Sequence, residues 1–90
     1  MKTFIKHANA VKDYGFDVTK WLAGDTIESR TWSVPAGLTK GQEIADGPVS
    51  VVFLGGGEVD KTDLSTYLVS LTITTAGGRT EVFPFRLRII

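Results

Sequence analysis

Two runs near the C-terminus, in which apolar residues recur at every second position, constrain the fold more than any other feature. The first run spans residues 63–75 and the second spans residues 80–90, and between them lies the glycine-rich segment 76–79. The alternating apolar residues are Tyr67, Val69, Leu71 and Ile73, then Phe83, Phe85, Leu87 and Ile89. A period of two gives a strand one buried and one exposed face. The sequence therefore predicts a β-hairpin here.

Further strand signals lie upstream. Residues 48–54 have Val49, Val51 and Phe53 in phase and end at three consecutive glycines, Gly55 to Gly57. Residues 26–34 alternate around Trp32, where we expect a bulge because a buried Trp breaks the phase. The remaining expectations are a short first strand at residues 14–18 and a strand followed by a loop at residues 39–47. Pro84 donates no hydrogen bond, which predicts a sheet edge or a bulge at that position.

One short helical turn is predicted near residues 18–22, capped by Asp17 and closed by Gly24. Six or seven short antiparallel strands with frequent turns indicate an all-β sandwich. Tyr67 follows a turn and opens the most regular strand, which is the position of a tyrosine corner, so we expect an immunoglobulin-like or fibronectin-like form. Residues 13–90 are predicted to be one β-sandwich domain, and residues 1–12 a partly flexible N-terminal arm.

Composition excludes several classes of function. The chain has 90 residues, no Cys, and ten basic residues that balance ten acidic ones. Thiolate catalysis, thiolate metal sites and disulfides are therefore absent, and no positive excess indicates a nucleic-acid partner. The sequence has neither a signal-peptide core nor an apolar run of about 20 residues, so we expect a soluble protein with no membrane partner.

No group of residues predicts catalysis. His7 is the one histidine, so a Ser–His–Asp triad or a histidine metal site would need it in the expected arm. Gly55 to Gly57 lacks the flanking residues of a phosphate loop. Glu58, Asp60 and Asp63 do not match a calcium-binding loop, and a solvated loop is the favoured interpretation. We therefore expect no enzyme activity, no metal and no cofactor.

The candidate functional residues are contact residues. Trp21 either caps the core or is exposed as a contact residue, and Arg79 is expected to reach Asp25 or nearby strand-end carbonyls. The candidates for partner contact are Trp21, Glu58, Asp60, Arg86 and Arg88. The candidates for structural roles are Tyr67, Trp32, Gly77 and Gly78.

An ordered set of segments carries a family resemblance. In the first half these are residues 13–17, 21–22, 24–27, 31–35 and 37–38; in the second they are residues 53–56, Tyr67, residues 73–79 and residues 87–89. From about Lys6 to the C-terminus the chain resembles small fibre-tail adaptor proteins of tailed bacteriophages.

The resemblance implies an immunoglobulin-like sandwich from a phage or prophage. It would be a virion protein, made in the bacterial host cytoplasm, that joins tail and fibre proteins without catalysis. Self-association around the tail axis stays open. An alternative function is a carbohydrate- or receptor-binding module that uses Trp21 and the loop at residues 55–62.

Overall fold

The computed structural model describes residues 2–59 and 66–90, which form two β-sheets packed face to face. In chain order the elements are β1 (Lys2–Lys6), β2 (Lys12–Asp17), α1 (Thr19–Leu22), β3 (Ile27–Ser33), β4 (Leu38–Asp46), β5 (Val49–Gly56), β6 (Tyr67–Thr75) and β7 (Thr80–Ile89). Sheet 1 has the strand order β1-β7-β6-β3, and sheet 2 has the order β2-β5-β4. The predicted all-β sandwich with one helical turn is confirmed.

The antiparallel hairpin of β6 and β7 forms the centre of sheet 1. Its register pairs Val69 with Phe85 and Leu71 with Phe83. The inward side chains of Val69, Leu71 and Ile73 are completely buried, as predicted from the period of two. Sheet 2 covers them, and the Tyr14 ring from β2 stacks on Phe85 at 5.3 Å between ring centroids. The core therefore lies between this hairpin and the facing strands β2 and β5.

The N-terminal residues belong to the sandwich, which corrects the expected arm over residues 1–12. Strand β1 pairs in parallel with β7, from Lys2 opposite Phe85 to Lys6 opposite Ile89. Two backbone bonds extend the pairing, with the N–H of Ile90 on the carbonyl of Lys6 at 2.9 Å and the N–H of Ala8 on the carbonyl of Ile90 at 3.0 Å. The expected purely antiparallel arrangement thus has one parallel pair.

In strand β5, the side chains that point into the core are not the alternating set that the sequence analysis singled out. Ser50, Val52 and Leu54 are completely buried. Val49, Val51 and Phe53 lie on the outer side of sheet 2 and are half-buried. Both sets in this run are largely apolar, so alternation did not decide which one enters the core.

Strands β3 and β4 differ from expectation in detail. The register of β3 shifts between Ile27 and Ser29 rather than near Trp32, whose side chain points inward and is buried. Strand β4 continues to Asp46 rather than giving way to a loop. Pro84 lies just beyond the described pairing of β1, which starts at Phe85, so β7 has a strand neighbour on one side only there.

The predicted helical turn α1 is present, but its N-cap is Val18, which makes no side-chain cap bond, rather than the expected Asp17. The Oδ1 of Asp17 accepts a hydrogen bond from the N–H of Thr19, the first helical residue, at 3.1 Å. The helix ends at Ala23, which takes the left-handed conformation with φ of 49°. Gly24 follows with φ of 91°.

One end of the sandwich, which we call the Tyr67 end, is held by a ring packed on backbone. The Tyr67 hydroxyl accepts a hydrogen bond from the N–H of Glu58 at 3.2 Å. The ring lies over Gly37, where an added Cβ would be 2.9 Å from both a ring carbon and the hydroxyl. The bond runs back to upstream backbone, as in a tyrosine corner. The expected corner falls on residues 60–65, which lie outside the described residues.

A lysine is buried at the same end. Lys6 is completely buried, and its Nζ donates to the carbonyl of Gly56 at 2.6 Å and to that of His7 at 2.8 Å. Burial lowers the pKa of this amine, and the nearby charge of Lys12 lowers it further. The amine therefore satisfies two carbonyls at the end of the sandwich, at the cost of burying a charge.

Gly37→Ala should destabilise the fold by about 2–4 kcal/mol, because the new methyl group meets the Tyr67 ring and φ of +103° is strained for Ala. Gly47→Ala is the matched control, since Gly47 also has positive φ but nothing within 4 Å, and it should cost about 1 kcal/mol. Urea unfolding followed by tryptophan fluorescence measures both. Equal losses for the two variants would show that the ring contact contributes nothing.

Lys6→Met should change how stability depends on pH. The lowered pKa of Lys6 means that the unfolded chain binds more protons than the folded chain as the pH approaches 10.5, the usual lysine value. The free energy of unfolding of the wild type should therefore rise relative to Lys6→Met over that range. Lys20→Met removes one positive charge from an exposed position on α1 and is the matched control for the loss of a lysine. Parallel curves for Lys6→Met, measured by urea unfolding at each pH, would contradict the prediction.

Candidate interaction surfaces

The end of the sandwich opposite the Tyr67 end, which we call the Arg79 end, is organised by one guanidinium. Arg79 donates to the carbonyl of Trp21 at 2.9 Å and to that of Leu22 at 2.7 Å. Its Nε lies 3.4 Å from Oδ2 of Asp25. These bonds join the start of β7 to the last turn of α1, where a cation meets the C-terminal carbonyls of the helix, and the Leu22 carbonyl also accepts from the N–H of Asp25 at 2.9 Å. The expected reach of Arg79 to Asp25 is confirmed, and the carbonyls that it meets belong to α1 rather than to a strand end.

Asp25 links the same hairpin to the start of β3. Its carboxylate bonds to the Thr75 hydroxyl, to the N–H of Thr26 and to the N–H of Gly77. Thr75 contributes most to lowering the pKa of Asp25, and the backbone N–H groups and Arg79 add to the effect. An added Cβ at Gly77 would lie 2.6 Å from Oδ2 of Asp25, so a side chain there would displace the carboxylate. Gly78 has φ of +90°, which favours glycine.

Trp21 is half-buried at the Arg79 end. The Arg79 guanidinium lies 4.5 Å from the centroid of its ring, as a cation–π contact. Phe83 lies perpendicular to it, with ring centroids 5.3 Å apart. At most one face of the Trp21 ring is therefore open to a ligand, which disfavours a sugar-stacking platform.

An open groove of about 370 Å³ lies beside α1, between Leu22, Ile27 and Pro48. Arg30, at its base, donates to the carbonyls of Gly47 and Val49 and to the Ser50 hydroxyl. These bonds tie the edge of sheet 1 to the turn between β4 and β5. The guanidinium is thus committed to holding the two sheets together.

Glu58 and Asp60 were predicted as contact residues near the Tyr67 end. Glu58 is exposed, and its backbone N–H is fixed by Tyr67. Asp60 lies outside the described residues, as does the rest of the loop beyond residue 59. Glu58 is therefore presented from a fixed backbone position beside Gly57, which packs on Ile89 near the end of β7.

The outer side of sheet 1 carries Arg86 and Arg88, and we call it the arginine face. Both arginines are exposed, and Arg86 donates to the Thr66 hydroxyl at 3.1 Å. Their cross-strand neighbours are Leu68, opposite Arg86, and Ile5, opposite Arg88. These two side chains are 48% and 57% exposed, so apolar surface flanks the two positive charges.

The outer side of sheet 2 has the opposite charge, and we call it the aspartate face. Its middle strand, β5, presents Val49, Val51 and Phe53, and Ile44 on β4 extends this surface. The register places three exposed carboxylates on the flanking strands: Asp13 and Asp17 on β2, and Asp46 on β4. Gly15 opposes Val51, and an added Cβ there would lie 2.7 Å from the carbonyl of Ser50. The apolar surface is therefore left uncovered at that point.

The described residues hold no cluster of His, Asp and Glu that could bind a metal ion. His7 is exposed at the end of β1, where its Nδ1 accepts a hydrogen bond from the N–H of Asn9 at 3.2 Å. None of the helices in the described part of the chain has the length and apolarity needed to cross a membrane.

Sequence reasoning missed Lys6, Arg30 and the aspartate face. A signal for Lys6 was present, because Phe4 and Lys6 are two residues apart and share the inward side of β1. No local signal marks Arg30, because its partners lie 17 to 20 residues away in the chain. Predicting the aspartate face would have required knowing which side of β5 is buried.

Comparison with solved structures places the fold. The chain is similar to a PKD domain from the KIAA 1837 protein, with a TM-score of 0.56, 20% identity, and coverage of 98% of this chain and 78% of that one. It is similar to a mutant of the SrpA adhesin from Streptococcus sanguinis, with a TM-score of 0.58 and 9% identity, over 94% of this chain and 54% of that one. It is also similar to an endo-fucoidan hydrolase of glycoside hydrolase family 107, with a TM-score of 0.55 and 14% identity, over 100% of this chain and 13% of that one. At such identities the likeness shows the fold alone.

Comparison by sequence gives the family. No curated protein sequence matches the chain. The model of the family described as podophage GP4 fiber-tail adaptor protein gp77 matches residues 6–88. The matched range begins at the last residue of β1 and reaches the penultimate residue of β7, so it takes in both sheets. The chain therefore belongs to the family of podophage fibre-tail adaptors, structural proteins of the phage tail.

Proposed function

We propose that this protein joins tail and fibre components of a podophage or prophage virion through protein–protein contacts, without catalysis. The family match over residues 6–88 carries the proposal, because it covers the sandwich itself rather than an appended segment. The chain would be made in the bacterial host cytoplasm and assembled there into the virion. Several copies of the protein would surround one tail, and neighbouring copies could then contact one another.

The use of the charged residues supports a binding role. Arg79, Arg30 and Lys6 donate to backbone carbonyls and hold strands, helix and turns together. Asp25 accepts from backbone, from a hydroxyl and from Arg79. These groups are engaged in structure, whereas a catalytic centre needs titratable groups that converge on a substrate.

The two ends of β7 supply two separated surfaces, which suits a protein with two partners. Trp21 lies at the Arg79 end, where β7 begins, and Glu58 lies at the Tyr67 end, where β7 finishes. We assign one partner to each end, and Asp60, two residues after Glu58 in the sequence, remains a candidate contact. Arg86 and Arg88 remain candidates for a third contact on the outer side of sheet 1.

The edge strand β4 is poorly suited to strand addition. Its register shifts between Lys40 and Glu43, and these two side chains form an ion pair at 3.1 Å on the side that faces sheet 1. A bulge and inward charges are the features that protect edge strands from pairing with another chain. Contacts through the ends and faces of the sandwich are therefore favoured over β-augmentation at this edge.

Glu58→Lys should weaken binding to one of the two partners by about tenfold, because it reverses an exposed charge at the proposed contact. Its backbone N–H still bonds to Tyr67, so the fold should be unchanged. The matched control for that partner is Glu81→Lys, an exposed position at the opposite end of β7, where any effect should fall on the other partner. Biolayer interferometry against purified tail and fibre proteins of the same phage measures both variants.

The wild-type adaptor should bind the tail protein and the fibre protein simultaneously, as one complex in size-exclusion chromatography. An adaptor that binds neither protein, or that binds only one of them under all conditions, would refute the joining role. Equal effects of Glu58→Lys and Glu81→Lys would refute the contact assigned to the Tyr67 end.

A further inference from the structure

The two outer sides of the sandwich carry opposite charges. On the arginine face, the positions fixed by strand register include Arg86 and Arg88 and no Asp or Glu; the exposed Glu28 lies at the register shift of the edge strand β3, two strands from β7. On the aspartate face, the registered positions include Asp13, Asp17 and Asp46 and no Lys or Arg. The net charge of the whole chain is zero. The charge is therefore separated across the thickness of the molecule, which composition alone conceals.

Both faces also expose apolar side chains next to their charges. Leu68 and Ile5 flank the arginines, with 48% and 57% of their surface exposed. Ile44 is 39% exposed and continues the apolar surface of β5 on the aspartate face. A surface with an apolar centre and a charged surround is typical of a protein–protein contact.

We propose that copies of this chain associate head to tail, with the arginine face of one copy packed on the aspartate face of the next. Sheets pack face to face at about 10 Å, and neighbouring strands lie about 4.8 Å apart. An arginine on the central strand β7 can lay its aliphatic stem on Val51 and reach a carboxylate one strand to the side. This places Arg86 and Arg88 against the carboxylates on β2 and β4 of the next copy.

The occupant is a second copy rather than an unrelated protein because each face supplies what the other lacks. Two different patches meet in this contact, so it is heterologous, and each added copy leaves one face of each kind open. Association can then continue into a ring or an open chain. A face with the same charge on both copies would instead repel itself, which excludes a two-fold contact through either face alone.

The contact is small. Three strands by about five residues measure about 14 Å by 17 Å, which is less than the area that stable dimers bury. The association should therefore be weak for free copies, and stronger when neighbours are held side by side on one tail, because tethering raises the effective concentration.

The test uses the purified full chain. Sedimentation velocity at low salt, from about 10 μM to about 1 mM, should show species larger than a dimer, with a loss of association at high salt because screening weakens charge contacts. The arginine-face variant is Arg86→Glu with Arg88→Glu. The aspartate-face variant is Asp13→Asn with Asp46→Asn, and Asp17 is left unchanged because it bonds to the first turn of α1.

Each face variant alone should associate at least about tenfold more weakly than the wild type. An equimolar mixture of the two should form one-to-one pairs that do not grow, because the intact aspartate face of one variant meets the intact arginine face of the other. Lys2→Glu with Lys20→Glu makes the same change in net charge as the arginine-face variant, and it should associate as the wild type does. Circular dichroism and thermal unfolding check that every variant is folded.

Three results would overturn the inference: a wild type that is monomeric at every concentration, face variants that associate like the wild type, or a mixture that forms no pairs. A monomeric wild type whose aspartate-face variant no longer binds tail or fibre protein would assign that face to another protein. The outcome is separate from the joining role, because a monomeric adaptor can still bind both virion proteins and a self-associating one can fail to bind either.

Discussion

The antiparallel register between β6 and β7 is the constraint on which the rest of the structure depends. It places Val69, Leu71 and Ile73 on the same inward side as Phe85 and Leu87, and all five are almost completely buried. Burial of this many large apolar side chains is the main stabilising term in a chain that has no disulfide. Both other strands of sheet 1 pair with this hairpin, β1 with β7 and β3 with β6.

Polar side chains hydrogen-bond to the backbone at both ends of this hairpin. At the turn, Arg79 and Asp25 satisfy the last carbonyls of α1 and the N–H groups of the connection. At the other end, Tyr67 and Lys6 bond to the backbone that follows β5. In both places a long side chain hydrogen-bonds to backbone at the end of an element, and buried polar groups without partners are costly. Lys6, Arg79 and Asp25 are therefore committed to closing the ends of this small domain.

The parts of the domain that are available for function are its exposed ends and faces. An adaptor has to contact at least two proteins and needs no cavity for chemistry, so a rigid sandwich with separated ends and two oppositely charged faces is sufficient. The protection of β4 by a bulge and an inward ion pair fits this role, because an unprotected edge would pair with other chains indiscriminately. The side-chain bonds that close the ends of the sandwich thus leave its faces and ends rigid enough to serve as contact surfaces.

The sequence was sufficient to predict membership of the adaptor family, because ordered segments from residue 13 onward resemble that family. The family model matches residues 6–88. The candidate contact residues were harder to predict. Trp21 was left between core and surface, and the structure shows it half-buried under Arg79. Its environment depends on Phe83, which is 62 residues away along the chain and is brought close only by folding.

The sequence by itself determined the β6–β7 hairpin and the turn α1, because both are encoded by local features: a strict period of two around Gly77-Gly78, and Asp17 before a short helical run. Only the tertiary structure decided the parallel pairing of β1, the inward side of β5 and the charge separation between the two faces. Where both sides of a strand are apolar, as in residues 49–54, alternation cannot say which side is buried. Pairing between the first and last strands joins residues more than 80 positions apart, and no local pattern encodes it.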